Sequence, residues 1–232
     1  MRPVNKGETP YVLIKNYGEA LPYLEERIGC YCSYCEFPIS HVPEVEHIFA
    51  KSKGGSLTEW ANLLLVCKYC NTRKGTIIGD NIKEIWLWPD INNTFLAFTY
   101  DGSKPKVNEN FMKNIDESLL TRAKIMFADL KLDNIPLSPN DKDRRWMKRL
   151  NTYNKAKEYF NDWQMFKNSK YEGQLLKCIF DLAKSEGFFS VWMNIFADEP
   201  EVCNGLINSF IGTDKNSFDN NGKPVIRVNG EI

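Results

Sequence analysis

Histidine is almost missing from this chain, with only His41 and His47 among 232 residues. A lone histidine is usually a packed or surface residue, so any chemistry at either must come from neighbours at fixed spacing. Net charge is missing too: thirty basic residues balance thirty acidic ones. No overall field draws the molecule onto nucleic acid, and such contact would need a local patch or a partner. Long apolar runs are absent, none approaching the roughly 18 to 20 residues that cross a bilayer. The opening "MRPVNKGETP" lacks the apolar core of a secretory signal, which reads as a cytoplasmic protein with no membrane partner. Neither an internal repeat nor a low-complexity tract is present, and no G-x-x-x-x-G-K-[ST] loop occurs. Any ATP hydrolysis would therefore belong to another protein.

What is present describes a globular chain, with 43% hydrophobic and 13% aromatic residues, long enough for one domain or two small ones. The seven cysteines are odd in number, and five lie between Cys30 and Cys70. With no export signal, that clustering points to a metal rather than to disulfides. Cys32-Ser-Tyr-Cys35 and Cys67-Lys-Tyr-Cys70 are two C-x-x-C pairs, each able to hold two thiolates on a tight knuckle. Together they complete a closed, structural tetrahedral zinc site; the alternative is chance pairs of buried free cysteines. Cys30 and His41 compete for a ligand place without having the x-x spacing. Cys178 and Cys203 read as core residues in apolar helical surroundings.

Along the chain, residues 1–16 carry Pro3, Gly7 and Pro10 and predict an extended surface arm. "YGEALPYLEERIG" predicts a helix closed by Gly29, with Leu21, Leu24 and Ile28 on one face. "EIWLWPD" and "NTFLAFTYDGSKPKVN" read as strands, the second turning at Asp101-Gly102 as a hairpin. Three helical patterns follow, "IDESLLTRAKIMFADLKL", "DKDRRWMKRLNTYNKAKEYFNDW" and "YEGQLLKCIFDLAKSEG", with Pro136 and Pro139 separating the first two. The run "DKDRRWMKRL" has five basic residues around Trp146. It reads first as a solvated helix face and second as a DNA-backbone contact. Trp86, Trp88, Trp163 and Trp192 are most simply core or interface anchors.

Between and just after the knuckles stand Glu46-His47, Asn62, Asn71 and Lys74. The stretch "CSYCEFPISHVPEVEHIFAKSKGGSLTEWANLLLVCKYCNTRKG" resembles the zinc-containing HNH endonucleases of the ββα-metal class, with asparagine in the third position. The likeness covers a fifth of the chain, about Cys32 to Gly75. It implies DNA phosphodiester hydrolysis, with Glu46 turned toward a catalytic divalent ion by a local backbone distortion and Asn62 bracing the loop that presents the base. On a regular strand, neighbours such as Glu46 and His47 point to opposite faces.

Elementary chemistry stands beside that resemblance. Phosphodiester hydrolysis needs a base for water and a cation at the developing charge. His47 titrates near neutrality and can be the base. Asn71 and Lys74, spaced i, i+3, share a helix face. The oxygens of Glu46 and Asn71 suit Mg²⁺ or Mn²⁺ better than zinc at the catalytic site. Lys51, Lys53, Arg73 and Lys74 are the phosphate candidates, since residues 51–75 hold five basic residues against one acid, Glu59. Read singly, His47 would be a satisfied structural histidine, Glu46 a solvated charge and Asn62 a turn cap, and Lys74 would complement the helix dipole. The joint pattern favours catalysis.

The predicted fold is therefore α+β: a ββα-metal core stapled by zinc, then a short β-hairpin and a mostly α-helical C-terminal region. Residues 1–80 form a nuclease domain with arm and helix, and residues 81–232 a hairpin plus helical cap or partner-docking region. More loosely, "MRPVNKG", "YCSYCE", "VEHI", "LWPD" and "GFFSVW" resemble the HNH nuclease subunit of Septu-type anti-phage systems. This implies an ATPase partner whose nucleotide state governs DNA cutting. Two alternatives stand: a non-catalytic zinc-ribbon module that binds DNA or protein, and a stand-alone HNH restriction-type endonuclease.

Overall fold

The computed structural model describes residues 1–75, 82–138 and 140–232. A 3-10 turn, Tyr17–Ala20, leads into helix α1, Leu21–Ile28, which Gly29 ends in the left-handed region at φ 71°. Leu24 and Ile28 are its buried side chains. Strands β1, Pro43–His47, and β2, Leu63–Cys67, pair antiparallel from Pro43 opposite Cys67 to His47 opposite Leu63. β2 reads "LLLVC" and is buried throughout, as a strand covered on both faces must be. Helix α2, Lys68–Lys74, follows at once, its start capped by the Cys67 sulfur accepting from the Cys70 N–H at 3.4 Å. Strand, strand and helix thus follow one another across the cysteine-rich block.

The chain continues through α3, Ile82–Ile85, and α4, Thr94–Ala97, to strands β3, Phe98–Asp101, and β4, Lys104–Val107. These two pair antiparallel around Gly102 at φ 61°, so the expected hairpin is present. "EIWLWPD" forms no strand: Ile85 ends α3, and Trp86, Leu87 and Trp88 are fully buried in irregular backbone. A short apolar run does not distinguish strand from buried coil, and here ring packing among Tyr34, Trp86 and Trp88 occupies it. The start of the next run is likewise helical, because Asn93 caps α4 by accepting from the Phe95 N–H at 3.2 Å.

Helices α5, Glu109–Ile115, α6, Glu117–Asp129, α7, Arg145–Phe166, α8, Glu172–Glu186, α9, Phe189–Ile195, and α10, Pro200–Ser209, complete the fold. Asp116 caps α6, accepting from the Ser118 N–H at 2.6 Å. The three predicted helical patterns correspond to α6, α7 and α8. Pro136 lies between α6 and α7; Pro139 and the division expected at 80/81 fall outside the described residues.

One apolar cluster joins α1, β2, Trp86, Trp88, α6 and Leu132, and a second joins α7 to α10 through Trp163, Trp192, Phe196 and Leu206. The four tryptophans expected as anchors are buried in these clusters. The N-terminal arm departs from the prediction, since Met1, Arg2, Val4 and Lys6 are buried. Arg2 donates to the carbonyls of Ile28 and Ile211, and Lys6 pairs with Asp90 at 2.8 Å. These tertiary acceptors have no signature in the arm's own composition. Cys203 is buried as expected, whereas Cys178 is exposed on α8. No helix among the described residues is long and apolar enough to cross a membrane.

Candidate active site and metal centre

The two knuckles come together. Sulfurs of Cys32, Cys35, Cys67 and Cys70, all buried, lie within 4.8 Å of one another. Four thiolates held tetrahedrally at a Zn–S distance of about 2.3 Å stand about 3.8 Å apart. The Cys35–Cys67 separation is 3.7 Å, so the donor set fits zinc in type, number and spacing. The first knuckle is anchored to β2, Ser33 donating to the Leu65 carbonyl from both N–H and hydroxyl at 2.9 and 2.8 Å. Neither Cys30 nor His41 is part of the cluster.

Arg145, the first residue of α7, is a further member of this centre that local spacing did not reveal. Its guanidinium donates to the Cys70 sulfur at 3.4 Å, to Asp143 at 3.0 and 2.7 Å, and to the carbonyls of Leu130 and Lys131. The solvated face expected for "DKDRRWMKRL" is thus largely a buried clamp. Arg145 and Arg149 are buried, and Lys148 pairs with Glu186 at 2.6 Å. Only Lys142 and Arg144 of the five cations are exposed.

A second centre lies at the other end of β1. Tyr17, Glu46, His47, Lys51, Asn71 and Lys74 line one cavity of about 340 Å³. Glu46 and His47 reach it without a bulge, because their pairing with Leu64 and Leu63 is one to one. His47 is the last residue of β1, and Val45 lines the cavity beside both of them. The distortion implied by the resemblance is therefore absent from the ladder.

His47 is positioned by its surroundings. Its Nε2 lies 3.1 Å from the Leu57 carbonyl, an atom that only accepts, so Nε2 carries the proton and Nδ1 holds the lone pair in the neutral ring. The Tyr17 ring packs edge-on at 4.9 Å. Burial pushes the imidazole below its ordinary value; the Leu57 carbonyl opposes this, while Lys51 and Lys74 add to it. The neutral, proton-accepting form is favoured at pH 7.

Asn62 ties the loop after His47 together. Its side-chain oxygen accepts from the Phe49 N–H at 2.7 Å, and its amide donates to the carbonyls of Phe49 and Ser56 at 3.1 and 2.8 Å. Gly55 lies inside the same loop, where a Cβ would stand 1.9 Å from the Phe49 oxygen. The second glycine of "KSKGGS" is required by that close approach.

Lys74 differs from its sequence reading as a phosphate contact. Only 1% of its side chain is exposed; the ammonium pairs with Glu46 Oε1 and donates to the His47 carbonyl at 2.7 Å. It secures the end of α2 to β1. Burial raises the Glu46 carboxyl to about 7, despite the opposing pull of Lys74. Asn71 donates from Nδ2 to Glu44 Oε2 at 2.5 Å, so that its carbonyl oxygen is the atom left for a cation. Glu44, two residues before Glu46 and so on the same strand face, was not singled out in the sequence; the alternation "EVEH" was its signal.

The phosphate candidates separate. Lys51 lines the cavity with its ammonium 4.8 Å from the Tyr17 ring centre, Lys53 is exposed beyond it, and Arg73 lies on another face of α2, lining a different cleft.

No curated protein and no solved structure matches this chain. Residues 32–76, running from Cys32 to just past Gly75, match the family model of the HNH endonucleases, which accords with the cysteine cluster between them and suggests a nuclease.

Proposed function

We propose that this chain is a metal-dependent endonuclease that hydrolyses DNA phosphodiester bonds. The observation that carries the reading is the single cavity shared by His47, Glu46 and Asn71. A neutral imidazole with Nε2 held by a carbonyl has Nδ1 free to take a proton from water. The second carboxylate oxygen of Glu46 and the Asn71 carbonyl are hard donors, fitting Mg²⁺ or Mn²⁺ that keeps most of its waters for a phosphate. When bound, such an ion supplies positive charge against the charge developing on phosphate and leaving oxygen. Lys74 fixes Glu46 and the His47 backbone, Asn62 holds the loop, and Lys51 offers a cation at the cavity rim. Zinc at the four cysteines keeps β2 and α2 in register with the first knuckle.

Plasmid nicking with Mg²⁺ or Mn²⁺ tests this, comparing native protein with His47→Ala at equal zinc content. Loss of nicking in the variant is expected, and equal activity removes His47 from the mechanism. A native protein that binds DNA without cutting it under any divalent ion is the zinc-ribbon module instead. The looser resemblance to Septu-type nuclease subunits and the lack of net charge support a role as an anti-phage effector supplied with DNA by an ATPase partner. Co-purification from the native operon followed by mass measurement tests the partner; tight sequence-dependent cleavage by the chain alone favours a restriction-type enzyme.

A further inference from the structure

The outer face of α2 borders two clefts that share three lining residues and so adjoin as a groove. The first, about 490 Å³, is lined by Lys68, Tyr69, Thr72, Arg73 and Lys142. The second, about 340 Å³, shares Lys68, Tyr69 and Lys142, and runs on past Arg144 to an apolar wall that includes Phe37 and Val42. Val42 is 56% exposed, and Tyr69 and Phe37 are half-buried. An aromatic and aliphatic floor is thus rimmed by four cations. Their acidic neighbours are few. Glu44 pairs with Lys68 at 3.0 Å, Asp141 lies near Arg73, and Asp143 is committed to Arg145. The Nε–H of Arg73 is shielded from water and has no hydrogen-bond partner among the described residues. A shielded donor without an acceptor is rare in folded proteins and needs an explanation.

We propose that this groove seats an unpaired nucleic-acid strand on its way to the catalytic cavity, a statement that rests on the nuclease reading. Phosphates would meet Lys68, Arg73, Lys142 and Arg144, and bases would lie on Tyr69 and Phe37. A duplex presents phosphates outward and has little use for an apolar floor, whereas every unpaired base offers a face to an aromatic ring. The rim charge selects a polyanion over an apolar peptide. Connection to the cavity runs along one helix. Lys68 and Asn71 are three residues apart, about 4.5 Å of rise, and both are bonded to Glu44.

The test uses the full zinc-loaded chain with His47→Ala as the parent, so that the probe survives. Fluorescence anisotropy of a labelled single-stranded oligonucleotide and of its duplex is measured across a salt series. Lys142→Glu/Arg144→Glu is expected to weaken single-strand binding at least tenfold. It should also lower the slope of log K against log salt by about 1.4, two contacts at about 0.7 each. Tyr69→Leu, which keeps the apolar bulk, is expected to weaken single-strand binding about fivefold or more and to leave duplex binding alone. Unchanged affinity in the charge-reversed variant, or equal losses on both probes in Tyr69→Leu, overturns the groove while the native chain still nicks plasmid. A native chain that neither cuts nor binds removes the nuclease reading and the groove with it.

Discussion

Replacing Arg145 by Met removes the clamp between the zinc centre and the helical region while keeping an apolar stem of similar length. Arg145 is 2% exposed, and its guanidinium makes three hydrogen bonds with Asp143, contacts with two carbonyls, and one with the Cys70 sulfur. In the variant, fully buried Asp143 keeps, among the described residues, the Asn134 amide at 3.2 Å and the N–H of residue 145 at 3.1 Å. Breaking one side of a buried ion pair costs about 3 to 5 kcal/mol. For a chain of this size each kcal/mol moves Tm by about 2 to 4 °C, so a fall of about 6 to 20 °C is expected in calorimetry of the zinc-loaded protein. Loss of the donor to Cys70 should also weaken zinc retention about 10- to 100-fold, read by release to a chromophoric chelator. Asp143→Asn combined with Arg145→Met should recover part of the Tm, because no buried charge is then left alone. A single variant within about 2 °C of native and with native zinc release refutes the reasoning, as does a double variant no better than the single one.

Other predictions concern the cavity and one distant carboxylate. Asn62→Ala leaves three backbone groups of the 49–56 loop unpaired; it should cost about 2 to 3 kcal/mol in denaturant unfolding and depress nicking through the displaced His47. Gly55→Ala, whose Cβ would strike the Phe49 backbone, should reduce nicking at unchanged zinc content. Glu44→Gln no longer dictates which end of the Asn71 amide faces the cavity, and Mn²⁺ binding measured by electron spin resonance should weaken about tenfold. Native Mn²⁺ affinity in that variant removes Glu44 from the site. Burial works to raise Glu186, but hydrogen bonds from Lys148 and Lys155 outweigh it and hold the carboxyl below its ordinary value. Its stabilisation is complete above the unfolded carboxylate pKa and is lost as pH falls through the lowered folded one. Glu186→Gln should therefore lower Tm at neutral pH and lose less of it on acidification.

The two cysteine knuckles were legible because they depend on local geometry, whereas Glu46, His47, Asn62 and Asn71 were singled out as a set through the resemblance to HNH endonucleases. Two cysteines separated by two residues share a turn, and residues three apart share a helix face whatever the rest of the chain does. Asn62 entered through that resemblance; it closes the 3-10 turn Trp60–Asn62 just before β2. Local pattern misled where packing competes with it. The tryptophan run of residues 86–88 has strand-like composition but no partner strand, and its rings are taken up by Tyr34. Helix α9 escaped detection because "FSVWMNI" is buried almost all round and shows no polar face to give it a period.

Chain order and spacing by themselves determined that four cysteines would form two knuckles and that Asn71 and Lys74 would share a helix face; the remaining members of the set came from the resemblance. Tertiary structure decided what each charge does. The Lys74 ammonium is enclosed against Glu46 instead of facing a phosphate, Arg145 crosses from a helix 75 residues downstream to reach Cys70, and Lys142 and Arg144 are left in water beside Tyr69. The reason is desolvation: a charge is held inside only where hydrogen-bond acceptors or an opposite charge meet it, and several of those partners come from segments far away in sequence.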